Sequence, residues 1–240
     1  MIIDAHTHIL YDIDDGAKDI SESLRLIQLE IENDVDIIVL TPHFDPYNDS
    51  AEIFTKKRRE HYDILSQNIR DKNDKSDKNI TLILGSETLY SPLLMYYSTL
   101  EPLCISGTRF ILIEFVPDMK FGRAFFDEFN KLIIKFDIIP IIAHIERCNN
   151  IYNKVNIIKK FRQSGCVIQL NAGYIINNIG RKSVKRLFKH GYIDMVASDC
   201  HDSEKRPPNL KEAILLINEK YDGYYDKILS NKYKIASEYT

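Results

Sequence analysis

Residues 2–8 read Ile-Ile-Asp-Ala-His-Thr-His, a short apolar run that breaks directly into two histidines. Runs of the same kind recur at Ile37–Leu40, Thr81–Leu84, 110–113, 138–143, 167–170 and Met195–Ala197. Each is short and nearly continuous in apolar character, as expected of strands buried on both faces of a parallel sheet. Helical patterns lie between them. Asp19-Ile20-Ser21-Glu22 reads as a capping box, ahead of Leu24, Ile27 and Ile31 on one face. Further helices are expected over 51–69, 121–136, 154–163, 183–190 and around 210–217. Alternating strand and helix units need parallel strands joined by right-handed crossovers, so the expected fold is α/β, a seven-stranded barrel made from one domain spanning 1–240. An open doubly wound sheet is the competing arrangement. Residues 70–79 are polar and charged without periodicity and read as a mobile surface loop.

The chain has 240 residues, 44% of them hydrophobic, enough for an autonomous core without disulfides. Its 32 basic and 35 acidic residues leave a formal charge of −3, so no global field draws it onto nucleic acid or an anionic membrane. Cys104, Cys148, Cys166 and Cys200 form no CxxC pair, which speaks against a disulfide framework or a zinc knuckle and for a reducing compartment. The first residues lack the basic start and long apolar run of a signal peptide, and no stretch approaches 18 uninterrupted apolar residues. A cytoplasmic protein without membrane insertion and without a nucleic-acid partner is expected.

The chemistry gathers at the ends of the strands. The first run leads into His6 and His8, the second into Thr41-Pro42-His43, the third into Gly85-Ser86-Glu87 and the fourth into Glu114. The fifth leads into His144 and the seventh into Ser198-Asp199-Cys200-His201. In a parallel barrel these residues converge on the C-terminal mouth, where such folds carry their catalytic groups. His6 and His8 alternate along a strand and can both reach one ion. A lone buried histidine is more often a hydrogen-bonded core residue than a ligand, but five of the seven histidines stand at strand ends beside carboxylates. His61, in a charged helical stretch, and His190, before Gly191 at a helix C-terminus, are left out of the site. Asp14-Asp15-Gly16 reads equally well as a simple turn.

These motifs, in order, are Asp4-Ala5-His6-Thr7-His8, Asp14-Asp15-Gly16, Thr41-Pro42-His43, Gly85-Ser86-Glu87, Leu112-Ile113-Glu114-Phe115, Ala143-His144-Ile145-Glu146-Arg147, and Ser198-Asp199-Cys200-His201 followed by Arg206-Pro207. Together they make the chain resemble the polymerase and histidinol phosphatase (PHP) family, and within it the bacterial protein-tyrosine phosphatases of capsular and exopolysaccharide loci. The resemblance covers most of the chain and implies a distorted seven-stranded barrel with three divalent ions. His6, His8, Glu87 and Asp199 would hold the first ion, Glu87, Glu114 and His144 the second, and Asp15, His43 and His201 the third. Manganese is what the family implies; iron or zinc would suit the same imidazole and carboxylate donors. The implied substrate is a phosphotyrosine protein, a tyrosine autokinase controlling polysaccharide export, and relatives include ring-like homo-oligomers. Ile145, Cys200 and Phe44 depart from the family pattern, and Ile145 and Phe44 are expected to reshape the pocket rim.

Closely spaced divalent ions lower the pKa of water from 15.7 toward about 7 and neutralise phosphoryl oxygens, so hydrolysis by hydroxide needs no covalent phosphoenzyme. A phenolate leaving group, pKa about 10, makes little demand for a general acid. Arg147 and Arg206 are placed to clamp the phosphate with planar donors. Cys200-x5-Arg206 also satisfies the spacing of cysteine-dependent tyrosine phosphatases, but its loop, His-Asp-Ser-Glu-Lys, has no glycine and its acids would repel both thiolate and substrate. The rivals are a small-molecule phosphatase acting on histidinol phosphate and a non-catalytic regulatory subunit; a polymerase exonuclease fits poorly with the length and charge. Tyr221, Tyr224, Tyr225, Tyr233 and Tyr239 read as structural rather than as a phosphorylated tail.

Overall fold

A computed structural model describes residues 1–73, 80–148 and 155–228. Strand β1, Ile3–Thr7, is buried throughout and pairs in parallel with β2, Ile37–Leu40. Helix α1, Ile20–Glu32, connects them and begins where the Asp19 carboxylate accepts from the Glu22 amide at 2.9 Å. The reciprocal half of the expected capping box is not made. The Glu22 carboxylate instead accepts from the Ser203 amide at 2.7 Å, in a half-buried position where a hydrogen bond is worth more than at the exposed cap. Helix α1 is thereby tied to the segment that follows the last strand.

Two of the seven expected strands are each followed by a further short one, giving nine among the described residues. After β2 the chain passes Thr41-Pro42 and resumes as β3, His43–Phe44; after β4, Thr81–Leu84, it passes Gly85-Ser86 and resumes as β5, Glu87–Leu89. Pro42 has no N–H to give the ladder. The hydroxyls at the breaks bond to backbone instead, Thr41 Oγ1 to the Thr7 carbonyl at 3.1 Å and Ser86 Oγ to the Leu103 carbonyl at 2.7 Å. Between β3 and β4 runs α2, Ala51–Asn73. Residues 70–73 of the expected loop therefore continue this helix, because a formed helix adds a bond for each residue it fixes; residues 74–79 lie outside the described residues.

The chain continues as β6, Phe110–Glu114; α3, Arg123–Phe136; β7, Ile139–Ile142; α4, Val155–Gln163; and β8, Val167–Asn171. It then forms α5, Ala172–Asn178; α6, Lys182–Lys189; β9, Met195–Ala197; and α7, Leu210–Lys220. The short α5 is unannounced by any apolar period, and Lys154, the expected first residue of α4, lies outside the described residues. Among the described residues all the ladders are parallel and form two sheets, β1-β2-β4 and β3-β5-β6-β7-β8-β9. Their outer strands approach each other: the Asp199 amide donates to the His6 carbonyl and the His8 amide to the Cys200 carbonyl, both at 2.9 Å.

Alternation along the strands separates two apolar layers. Ile3, Ala5, Val39, Leu112, Ile141, Ala143 and Met195 pack together among the strands, while Ile38, Leu40, Ile111, Ile113 and Ile142 turn to the helices. Phe44 and Ile145 belong to the helix-side core, where Phe44 packs 5.1 Å from the Phe54 ring; neither stands at a rim as expected, because each is an apolar side chain with a buried place to fill. Tyr221 stacks on Phe188 at 4.6 Å and the Tyr224 hydroxyl donates to the Ile193 carbonyl at 3.0 Å, whereas Tyr233 and Tyr239 lie outside the described residues. Among the described residues no helix is long and apolar enough to cross a membrane.

Candidate metal centre

The strand ends bring eight of the nine expected ligands together, and the loop between β1 and α1 adds the ninth, Asp15. His6 and His8 come from the end of β1, His43 opens β3, Glu87 opens β5 and Glu114 closes β6. His144 follows β7, and Asp199 and His201 follow β9. The Nε2 atoms of His6 and His8 are 3.2 Å apart. Glu87 Oε2 lies 3.1 and 3.2 Å from them, and Asp199 Oδ1 lies 3.4 Å from each. His144 Nε2 is 2.6 Å from Glu87 Oε1 and 3.6 Å from Glu114 Oε1. His43 points Nδ1 to Glu87 and Glu114, at 3.2 and 3.5 Å, and Nε2 to Asp15 Oδ1 at 3.5 Å, which His201 Nε2 also approaches at 3.4 Å.

Three overlapping groups of donor atoms, each within 4.8 Å, follow from these positions: His6, His8, Glu87 and Asp199; His8, Asp15, His43 and His201; and His43, Glu87 and Glu114. The last pairs the two glutamates with His43, while His144 touches both from the other side. Glu87 Oε2 and Asp199 Oδ1 are buried and accept no hydrogen bond. Two imidazole nitrogens and two such oxygens facing one point are unfavourable by themselves, and a divalent cation between them would satisfy all four. The donor set is nitrogen and oxygen without thiolate, which suits manganese, iron or zinc.

Asp14, absent from the expected ligands, has a defined place. Its Oδ2 accepts from His8 Nδ1–H at 2.6 Å and from the His43 amide at 2.9 Å, and its Oδ1 from the Gly16 amide at 2.9 Å. Burial would raise its pKa, but the His8 imidazole and the two amides outweigh that and bring it to about 2. The Asp14-Asp15-Gly16 turn is thus real and also part of the cluster's frame: one acid bonds to His8 and the next faces the donor atoms. Gly16 is required by space, since a Cβ there would sit 2.1 Å from the His8 carbonyl oxygen. In the sequence, an acid pair shortly after His-x-His was the available signal, but it could not say which acid turned inward.

His144 (φ 27°) and Asp199 (φ 55°) occupy the left-handed region that non-glycine residues avoid, as happens where a site over-determines the backbone. Arg147 and Arg206 both reach Asp199 Oδ2, Arg206 at 2.8 Å, and both are partly open to solvent at the mouth. Cys200 turns the other way: it is buried with Sγ 3.7 Å from Glu30 Oε1, and burial with the nearby acids pushes its thiol well up. Burial and the facing Glu30 carboxylate both disfavour a thiolate there. His61 donates to or accepts from no ligand and contacts the Tyr11 carbonyl at 2.9 Å, and His190 caps α6.

The family model for capsular polysaccharide synthesis, CpsB/CapC, matches residues 2–235. The chain belongs to the CpsB/CapC family. Among curated CpsB/CapC relatives, the tyrosine-protein phosphatase CpsB of Streptococcus agalactiae serotype III is 29% identical over 232 residues, covering 90% of this chain and 89% of the relative. The tyrosine-protein phosphatase YwqE of Bacillus subtilis is 27% identical over 227 residues, covering 92% and 85%. A solved structure from the pair YwqE of B. subtilis and CpsB of Streptococcus pneumoniae, described as unique metal-dependent tyrosine phosphatases, superposes with a TM-score of 0.80. That match is 24% identical and covers 97% of this chain and 93% of the other. A β-aspartyl dipeptidase from Fervidobacterium islandicum shares the fold more loosely, with a TM-score of 0.53 and 14% identity over 98% of this chain and 72% of the other.

Proposed function

We propose that the chain is a metal-dependent protein-tyrosine phosphatase, acting in the cytoplasm on an autophosphorylated tyrosine kinase of a polysaccharide export system. The observation that carries this reading is the pair of buried, unpartnered carboxylate oxygens on Glu87 and Asp199, facing the Nε2 atoms of His6 and His8 beneath two arginines. His6, His8, Asp15, His43, Glu87, Glu114, His144, Asp199 and His201 would hold three divalent ions, of which manganese is the preferred identity. Such ions supply a low-pKa water and neutralise charge on the phosphoryl oxygens. The hydrogen bonds across the Asp199–His6 and His8–Cys200 edge support closure of the two sheets into a distorted barrel belonging to one domain.

The chain's own contribution is orientation. Arg147 and Arg206 donate to Asp199 Oδ2 and can turn the same guanidinium edges to a phosphate entering at the mouth. No side chain need protonate the departing phenolate, since its conjugate acid has a pKa of about 10. The buried floor of His6, His8, Glu87 and Asp199 keeps bulk water from the oxygens on which charge gathers. The test is hydrolysis of a phosphotyrosyl peptide and of histidinol phosphate by purified protein, with manganese and with excess EDTA. Peptide hydrolysis that EDTA abolishes and manganese restores is expected. Full activity in EDTA, a preference for histidinol phosphate, or metal uptake without any turnover would each overturn the reading.

A further inference from the structure

Strand β8 is the one expected strand that ends in no ligand, yet its last turn of alternation sends Gln169 and Asn171 to the floor of the metal centre. Both are buried. Gln169 Oε1 lies 2.5 Å from the His144 amide nitrogen and 3.3 Å from His6 Nδ1. Gln169 Nε2 lies 2.7 Å from Asn171 Oδ1, and Asn171 Nδ2 lies 2.7 Å from Asp199 Oδ2.

The donors and acceptors of this chain have one consistent assignment. A backbone N–H can only donate, so the end of Gln169 that meets His144 is the oxygen, and its nitrogen must face Asn171. A carboxylate can only accept, so Asn171 presents its nitrogen to Asp199 and its oxygen to Gln169. Both amides are locked from opposite ends. Because Gln169 Oε1 accepts, His6 must carry its proton on Nδ1, which leaves the Nε2 lone pair free among His8, Glu87 and Asp199.

We propose that Gln169 and Asn171 are positioning residues of the metal centre, a two-amide relay that sets the His6 tautomer, holds the left-handed backbone of His144 and fixes the Asp199 carboxylate. The same task is done for His8 by Asp14 and for His201 by the Asp199 carbonyl, 3.0 Å from Nδ1. The relay differs in coupling three ligands from separate strand ends through one strand, so an error at either amide reaches all of them.

The inference rests on the metal centre proposed above and is independent of the substrate. Its test uses the full-length protein and two near-isosteric variants, Gln169→Met and Asn171→Leu, with Gln169→Glu as a third that keeps the acceptor and loses the donor. Manganese affinity, measured by competition with a chelating dye, is expected to fall about 10–100-fold in each of the first two. The double variant should lose little more than the weaker single, since one chain is cut twice. In zinc-loaded protein, the His6 Nδ1 proton should appear far downfield by NMR, move upfield in Gln169→Met, where it has lost its acceptor, and move back downfield in Gln169→Glu. Unchanged affinity in the near-isosteric variants, additive losses, or a His6 Nδ1 proton that does not shift in Gln169→Met would overturn the relay. Should Gln169→Met fail to fold, Asn171→Leu and Gln169→Glu decide: manganese affinity must fall in the first, and the His6 Nδ1 proton must stay downfield in the second. Wild-type protein that takes up no divalent ion overturns the metal centre itself, whereas a relay that fails in protein that does bind ions overturns only this assignment.

Discussion

Nδ1 of His8 and Oδ2 of Asp14 lie 2.6 Å apart, joining the end of β1 to the loop that also carries Asp15. The pair is buried, so the carboxylate both orients the ring and increases its basicity toward an ion on Nε2. Asp14→Asn keeps the size and loses the charge. It is expected to weaken manganese binding by about 10–100-fold, with activity partly recovered in excess metal. Activity that is unchanged at limiting manganese would show that the pair has no such role.

Gly16→Ala places a methyl group 2.1 Å from the His8 carbonyl oxygen, an atom fixed by the Ala17 amide at 3.0 Å. Backbone must move. A cost of about 1–3 kcal/mol is expected, a fall in melting temperature of roughly 2–12 °C for a chain of this size. Metal uptake should fall too, because the movement displaces Asp15. A differential scanning measurement of the metal-free and loaded variant checks both.

Cys200→Ala tests the thiol route. Since Sγ is buried beside Glu30 and pushed well up in pKa, hydrolysis of a phosphotyrosyl peptide is expected to stay within about 3-fold of wild type, under 1 kcal/mol of barrier. Iodoacetamide should likewise leave the loaded enzyme active. A dead Cys200→Ala protein with its full complement of metal would contradict the non-covalent chemistry.

Glu30 governs a pH dependence of stability. Burial first, and then the Asp4 carboxylate, hold its pKa well above the usual carboxyl range. The folded state therefore keeps a proton that the unfolded chain releases near pH 4.5. Its stabilising effect is complete below that pH and is lost as pH rises toward the folded pKa, by up to about 1.4 kcal/mol per pH unit. Glu30→Gln removes this titration, so its melting temperature should gain on wild type steadily from about pH 4.5 upward. Parallel melting curves across pH 5–8 would refute it.

Arg147 and Arg206 each donate to Asp199 Oδ2 and stand at the open side of the site. Arg147→Met and Arg206→Met are each expected to lower kcat/KM by about 10–100-fold, the value of a charge-assisted hydrogen bond or two. Lysine at either position should recover little, since it lacks the fork. Weaker product inhibition by inorganic phosphate in the same variants would place the lost contact on the phosphoryl group.

Much of this molecule was legible in the chain because its signals are local. An apolar run is buried whatever lies beside it, and Ile37–Leu40, Thr81–Leu84 and Met195–Ala197 became strands with those bounds. Imidazoles and carboxylates placed just past such runs have to meet wherever parallel strands share an end, which is why His6, Glu87, His144 and Asp199 could be named together before any fold was known.

The remainder depended on which strands became neighbours. Gln169 meets His6 across 163 residues and Asn171 meets Asp199 across 28, so no window of sequence marks either amide as part of the centre. Glu22 had a local partner at the helix cap and took Ser203 instead, 181 residues away. Composition and periodicity determine which side chains seek burial and which elements they build, because those preferences act over a few residues. The pairing of hydrogen-bond donors with acceptors is decided only once the packed strands have excluded water and left each buried polar atom few partners within reach.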